Sequence, residues 1–220
     1  MQILDKLALL VGLLIGITVH ECAHAWSANK LGDPTARSLG RVTLNPLAHL
    51  DPLGTLFMVY SLLGGFGFGW GKPTPVNPVY LQPDSRVGMA LVAIAGPISN
   101  IVVALVFAIP LHFARLLDVP LPGELALLLT FVILANLSLA VFNVLPIPPL
   151  DGFSVLLGIL SQIRARWSYE ATHVLTMLAA QGPLVLIAIL MLDYVIPGRG
   201  ILGTVMLPPL RLLFRLIVGS

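Results

Sequence analysis

Charge is scarce in this chain of 220 residues: 10% are Asp, Glu, Lys or Arg, against 57% hydrophobic. A soluble domain carries roughly 25% charged residues, so there is too little charge here to cover a water-facing surface around one core. Cysteine is nearly absent. Cys22 has no partner in the chain, which excludes a disulfide-stapled scaffold. The formal net charge of +2 lacks the basic excess that nucleic acid attracts, and a mean hydropathy of +0.97 excludes a disordered chain. Two residue types are plentiful, 20 Gly and 18 Pro. They must interrupt the apolar segments, and such breaks are tolerated in a bilayer only where they are buried in protein or line a cavity.

A spanning helix needs about 20 mostly apolar residues. Residues 7–29, 87–111, 124–145, 173–192 and 201–218 qualify, the last interrupted by Pro208-Pro209. Residues 52–66 are too short to span and end in the glycine-aromatic run 64–70, which suggests a re-entrant or interfacial piece. Residues 70–83 hold four prolines among β-formers and read as an extended segment or hairpin. A proline-rich stretch at 146–152 followed by an apolar run to about 163 reads as a broken helix. The expectation is an all-α polytopic membrane protein, a bundle of about five to six transmembrane segments with a re-entrant segment and a short membrane-associated β-hairpin.

Short cytoplasmic loops collect Lys and Arg. If 52–66 does not cross, Lys30, Arg37, Arg41, Lys72, Arg86, Arg164 and Arg166 share one side, and Lys6, Arg115 and Arg199 lie opposite. That division puts the N-terminus outside and the loop after the first helix in the cytoplasm. The start of the chain has some likeness to a signal peptide, an apolar run ending in Ala23-His24-Ala25. Asp5 cancels Lys6, however, and two histidines and a glutamate crowd the cleavage region, so the helix is expected to be retained.

The first span contains His20-Glu21-Cys22-Ala23-His24. Residues four apart share a helix face, so both imidazoles can reach one ion, with Glu21 beside them to touch a bound water. This is the H-E-x-x-H pattern of zinc hydrolases. With five His and three Glu in the chain, and ionisable groups costly within an apolar span, packing is the weaker explanation. Catalytic zinc takes three protein ligands and keeps a position open. Of the acids, most sit in loops or at helix ends. Asp151 alone follows a proline-broken span and continues into another apolar stretch, where an unpaired carboxylate is hard to keep ionised and a dication removes the difficulty. Capping of the following helix is the alternative role. His49, His112 and His173 are left outside the site, with His49 the one to reconsider as a second metal contact or a gate.

Three motifs together resemble the site-2 proteases, the intramembrane zinc metalloproteases: His20-Glu21-x-x-His24; Gly96-Pro97-x-x-Asn100; and Asn143-x-x-Pro146-x-x-x-Leu150-Asp151-Gly152. The stretches 45–52 and 71–77 are similar to the compact branch of that family without a PDZ domain. The resemblance covers about residues 5–160. It implies one Zn2+ held by His20, His24 and Asp151, with Glu21 as general base and later proton donor. Asn100 and Asn143 would be catalytic groups near the metal that position substrate or stabilise the oxyanion, their alternative being hydrogen bonds between helices. It also implies a single transmembrane metalloprotease domain over 1–220, with a core at about 5–160 and accessory segments at about 170–220.

The activity so implied is hydrolysis of peptide bonds within or near transmembrane segments, with a membrane protein as substrate and the lipid bilayer as partner, and no nucleic acid. The location expected is a prokaryotic cell membrane, with the site nearer the cytoplasmic side. A substrate helix must unwind to expose its carbonyls, and residues 66–80 could offer it a strand edge. The rivals are another membrane zinc hydrolase, such as a prenyl-protein protease, and a membrane zinc transporter or metal sensor without protease activity.

Overall fold

The long apolar runs become long helices in a computed structural model that describes residues 2–64, 69–195 and 200–219. Helix α1 is Ile3–Lys30, followed by the single turn α2, Thr35–Ser38, and the short apolar α3, Pro52–Leu62. Then come α4, Ser85–Leu116; α5, Gly123–Val144; α6, Asp151–Gln162; α7, Arg166–Ala179; α8, Gly182–Val195; and α9, Gly200–Val218. Helices α1, α4, α5 and α9 are each long and apolar enough to cross a membrane. Several such helices in one chain mark a multi-pass membrane protein.

Helix α4 is the centre of the bundle, packing against α1, α5 and α6, while α1 also packs along α5. Small residues permit these approaches. A Cβ at Gly12 would meet the Phe131 carbonyl oxygen at 2.9 Å, and one at Gly16 would meet Leu139 Cδ1 at 2.6 Å. At one end of the bundle Ala104, Ala108, Ile133, Leu137, Ile217 and Val218 form a dry core. There α4 holds the carbonyl end of α9: the His112 ring bonds the Ile217 oxygen at 2.7 Å, and Arg115 donates to Val218. These contacts accompany a helix that runs unbroken through Pro208 and Pro209, contrary to the interruption expected there.

Two further expectations are corrected. The segment 173–192 is not one straight span: α7 and α8 meet at 79°. Gly182-Pro183 opens α8, and proline favours the first turn of a new helix while disfavouring helical geometry in the residue before it. Among the described residues there are four candidate spans, or five if the bent pair is one. The described residues do not form the expected β-hairpin either. Among the described residues there is no strand, only an isolated antiparallel bridge between Leu50 and Gly71. Residues 65–68 of the glycine-aromatic run, and Arg199, lie outside the described residues.

From residue 69 to 83 the chain is an extended strap with one 3-10 turn, Pro78–Tyr80. Prolines 73, 75, 78 and 83 lack the N–H that a ladder needs. The strap's backbone is bound instead by groups from elsewhere. Arg41, 5% exposed, donates to the carbonyls of Ala48 (2.6 Å), Lys72 and Pro73 (3.1 Å). Asp33 accepts from the Asn77 N–H at 2.7 Å, and Leu31 from the Gln82 N–H at 2.9 Å.

Candidate metal centre

His20 and His24 face α4 and α6 from the second half of α1, roughly 15 Å and 9 Å respectively from Lys30 at about 1.5 Å per residue. Both are buried. Asp151 arrives from the other side as the first residue of α6, whose N-cap position is taken by Leu150. Its placement depends on Gly152, where a Cβ would lie 2.0 Å from the Val144 carbonyl oxygen; only glycine lets α6 begin so close to the end of α5. The His20 Nε2 stands 3.1 Å from Asp151 Oδ2, and the His24 Nε2 3.4 Å from Asp151 Oδ1.

These atoms suit a divalent cation. The His24 Nδ1 lies 2.8 Å from the Val92 carbonyl oxygen, which only accepts, so Nδ1 carries the proton and Nε2 of the neutral ring keeps its lone pair. The His20 Nδ1 is likewise 2.7 Å from Asn100 Oδ1. Asp151 Oδ2 is buried without a hydrogen-bond donor. Imidazole and carboxylate lone pairs thus converge, repelling one another unless a cation sits among them. Zinc with bonds of about 2.0–2.1 Å in a tetrahedron sets its ligands about 3.3 Å apart, close to the two separations observed. All three donors lie within 4.8 Å of one another.

Gly96 supplies the room. A Cβ there would stand 2.5 Å from Cε1 of both His20 and His24 and 2.6 Å from His24 Nε2. The absence of a side chain at Gly96 lets the α4 backbone lie against both imidazoles.

Beside the three donors is a cavity of about 390 Å³. It is lined among others by Ile17, Glu21, Thr74, Phe142, Asn143 and Asp151, and is mostly apolar. The Glu21 carboxylate reaches toward the strap, where its Oε2 accepts from the Thr74 N–H at 2.9 Å and lies 2.8 Å from the Thr74 hydroxyl. The same hydroxyl is 3.0 Å from the Glu21 carbonyl oxygen.

The two asparagines part company. Asn143 lines the cavity and donates to Leu139 O at 3.0 Å. Asn100, expected beside the substrate, is fully buried behind His20 and is not part of the cavity wall. Its Nδ2 donates to Gly16 O at 3.1 Å and to Asn136 Oδ1 at 3.0 Å. His49 is also fully buried, its Nε2 2.8 Å from Thr43 O and its own carbonyl accepting from the Lys72 N–H; it braces the strap from outside the donor cluster. Thr74 and Asn136 were missed by sequence reasoning. Thr74 lay within the 71–77 stretch, and Asn136 is seven residues before Asn143, two helical turns along one face of α5.

The family model of peptidase family M50 matches residues 8–119 and 121–189. The chain belongs to peptidase family M50, the site-2 proteases. Among relatives in this family, it is 40% identical over 152 residues to YwhC of Bacillus subtilis, named as an inferred zinc metalloprotease, covering 67% of each chain. It is 32% identical over 151 residues to Rip2 of Mycolicibacterium smegmatis, named in the same way, covering 67% of this chain and 55% of the relative. With MJ0611 of Methanocaldococcus jannaschii, again so named, it shares 41% over 142 residues and 64% of each chain. No solved structure matches the chain.

Proposed function

We propose that this M50 chain is an intramembrane zinc metalloprotease that cuts peptide bonds in or near the transmembrane segments of membrane proteins. The reading rests most on one observation, the convergence of His20 Nε2, His24 Nε2 and both Asp151 oxygens. A zinc ion held there would supply Lewis acidity toward a peptide carbonyl and would lower the pKa of water to about 7. His20, His24 and Asp151 would hold it, each neutral imidazole carrying its proton on Nδ1.

Glu21 is the general base. Its Oε2 is held by Thr74, which leaves Oε1 to take a proton from the attacking water as the new C–O bond forms. The same carboxyl then returns the proton to the departing amine as the C–N bond breaks. Asn143, on the cavity wall, would position the substrate backbone or stabilise the developing oxyanion with the amide hydrogen that the Leu139 carbonyl does not take. Asn100 is a positioning residue for His20.

The substrate backbone lies along the strap. Gly69, Trp70, Gly71, Pro73, Thr74 and Val76 of this extended segment line the cavity, and an extended segment offers an unwound peptide a partner for its backbone groups. We read 1–220 as one domain whose core, about 5–160, carries every named group. The site opens nearer the cytoplasmic side of a prokaryotic cell membrane, a reading supported by the clustering of Lys30, Arg37, Arg41, Lys72 and Arg86 between the last residue of α1 and the first turn of α4.

The test is cleavage of a purified single-span substrate by wild type and by Glu21→Gln, with zinc measured in both. Wild type cleaves; Glu21→Gln keeps its zinc and loses about 10²-fold or more in rate, as expected when a general base is removed. Undiminished cleavage by Glu21→Gln contradicts the mechanism. A wild type that cleaves nothing but moves zinc across vesicles supports the transporter reading in its place.

A further inference from the structure

Asn136 stands outside all three motifs, yet it is completely buried at membrane depth on α5. Its amide has a direction that can be deduced. Nδ2 lies 2.9 Å from the Val132 carbonyl oxygen and 3.4 Å from that of Gly12. Carbonyls only accept, so the NH2 end must face them and Oδ1 must point away. That oxygen is 3.0 Å from Asn100 Nδ2, whose other acceptor is the Gly16 carbonyl at 3.1 Å. With both its donors spent on acceptors, Asn100 can present only Oδ1 to the His20 ring, 2.7 Å away. The neutral His20 ring must then donate from Nδ1 and turn the Nε2 lone pair toward Asp151. Reversing either amide sets acceptor against acceptor or donor against donor, a large cost in a buried network.

The α1 backbone is shaped to take part. Gly12 and Gly16 supply two of the terminal carbonyls, and a Cβ at Gly16 would come within 3.1 Å of Asn136 Oδ1 and 3.4 Å of Asn100 Nδ2.

We propose that Asn136 is a positioning residue of the metal centre, two side chains removed from the ion, which fixes the Asn100 amide and through it the tautomer and orientation of His20. This inference rests on His20 being a zinc ligand. Partners outside the ligand set typically contribute about 10–100-fold to metal affinity.

The experiment is a zinc competition titration on the purified full chain, comparing wild type with Asn136→Leu, alongside the visible absorption of the cobalt-substituted proteins. Asn136→Leu is expected to hold zinc about 10-fold or more weakly and to show a shifted cobalt spectrum, because the His20 ring is no longer held in one orientation. Wild-type affinity and an unchanged cobalt spectrum in Asn136→Leu overturn the proposal and make Asn136 a helix-packing residue. A second measurement needs no variant: 15N NMR of the histidines in zinc-free wild type. It is expected to show His20 protonated on Nδ1, and an Nε2–H tautomer overturns the amide chain. Wild type that binds no zinc refutes the metal centre itself, and the NMR result still decides the amide chain.

Discussion

Gly96→Ala adds a single methyl group, and the geometry around it allows its effect to be worked out. The new carbon would lie 2.5 Å from Cε1 of His20 and of His24 and 2.6 Å from His24 Nε2. Carbon atoms in contact ordinarily sit about 3.5–4.0 Å apart, so each ring must retreat by about 1 Å or α4 must back away by as much. Neither movement is free. His24 is tied to the Val92 carbonyl of α4 at 2.8 Å, and His20 to Asn100 of α4 at 2.7 Å; a 1 Å retreat stretches each bond to about 3.7–3.8 Å, beyond hydrogen-bond range. A misplacement of about 1 Å at a reacting centre costs about 10²-fold in rate, and loss of the outer partners costs about 10–100-fold in metal affinity. Gly96→Ala is therefore expected to bind zinc at least ~10-fold more weakly, measured by chelator competition, and to cleave a single-span substrate about 10²-fold more slowly at saturating zinc. The companion is Gly88→Ala, also on α4, whose Cβ would stand 2.5 Å from Leu81 Cβ and touch no ligand. It should lower the melting temperature and leave zinc affinity alone. Wild-type zinc binding and cleavage in Gly96→Ala would refute the reasoning.

Thr74→Val keeps the N–H that Glu21 accepts but removes the hydroxyl. Hydrogen bonds to charged groups are worth about 1.5–3 kcal/mol, so kcat should fall by about 10-fold or more with KM and zinc content little changed, and Thr74→Ser should recover it. A raised KM at constant kcat would mean that Thr74 holds substrate instead of the base. Asp151→Ala should lose its zinc during purification, and retention of one ion per chain would remove Asp151 from the ligand set. Asp33, beyond the end of α1, is held below the usual carboxylate range: burial opposes its charge, but donation from the Thr35 hydroxyl and from the Asn77 and Thr35 N–H groups outweighs it. A lowered folded pKa contributes stability that is complete above the unfolded value of about 3.9 and is lost as pH falls through the folded value. Wild type should thus melt higher than Asp33→Asn at neutral pH, with the gap closing below about pH 4; a gap that does not depend on pH would show that the carboxylate charge contributes nothing.

The parts of the centre visible in the sequence share a cause. In a chain with so little charge, an ionisable group at membrane depth is conspicuous, and the four-residue spacing of His20 and His24 fixes their common face before any packing is known. Asp151 stood out because a carboxylate at that depth needs a cation. The strap was less legible. Its prolines announced an extended path, but Arg41, Asp33 and Glu21, which bind its backbone, come from distant positions, and no local pattern records that. The Thr74 clamp on Glu21 spans 53 residues, and the bond from Asn100 to Asn136 joins two helices. Asn100 was found by its motif, but its direction toward His20 required the carbonyls of Gly16 and Asn136 to be in place. The bend between α7 and α8 did leave a mark, Gly182-Pro183, which the unbroken hydropathy across it concealed.

The central claim, one zinc ion on two imidazoles and a carboxylate, is tested most directly by zinc K-edge X-ray absorption of the purified protein. One ion per chain is expected, with nitrogen and oxygen neighbours only, at about 2.0–2.2 Å, and multiple scattering from two imidazoles. A sulfur shell near about 2.3 Å, which would bring in Cys22, or a bound zinc without imidazole scattering, would contradict it.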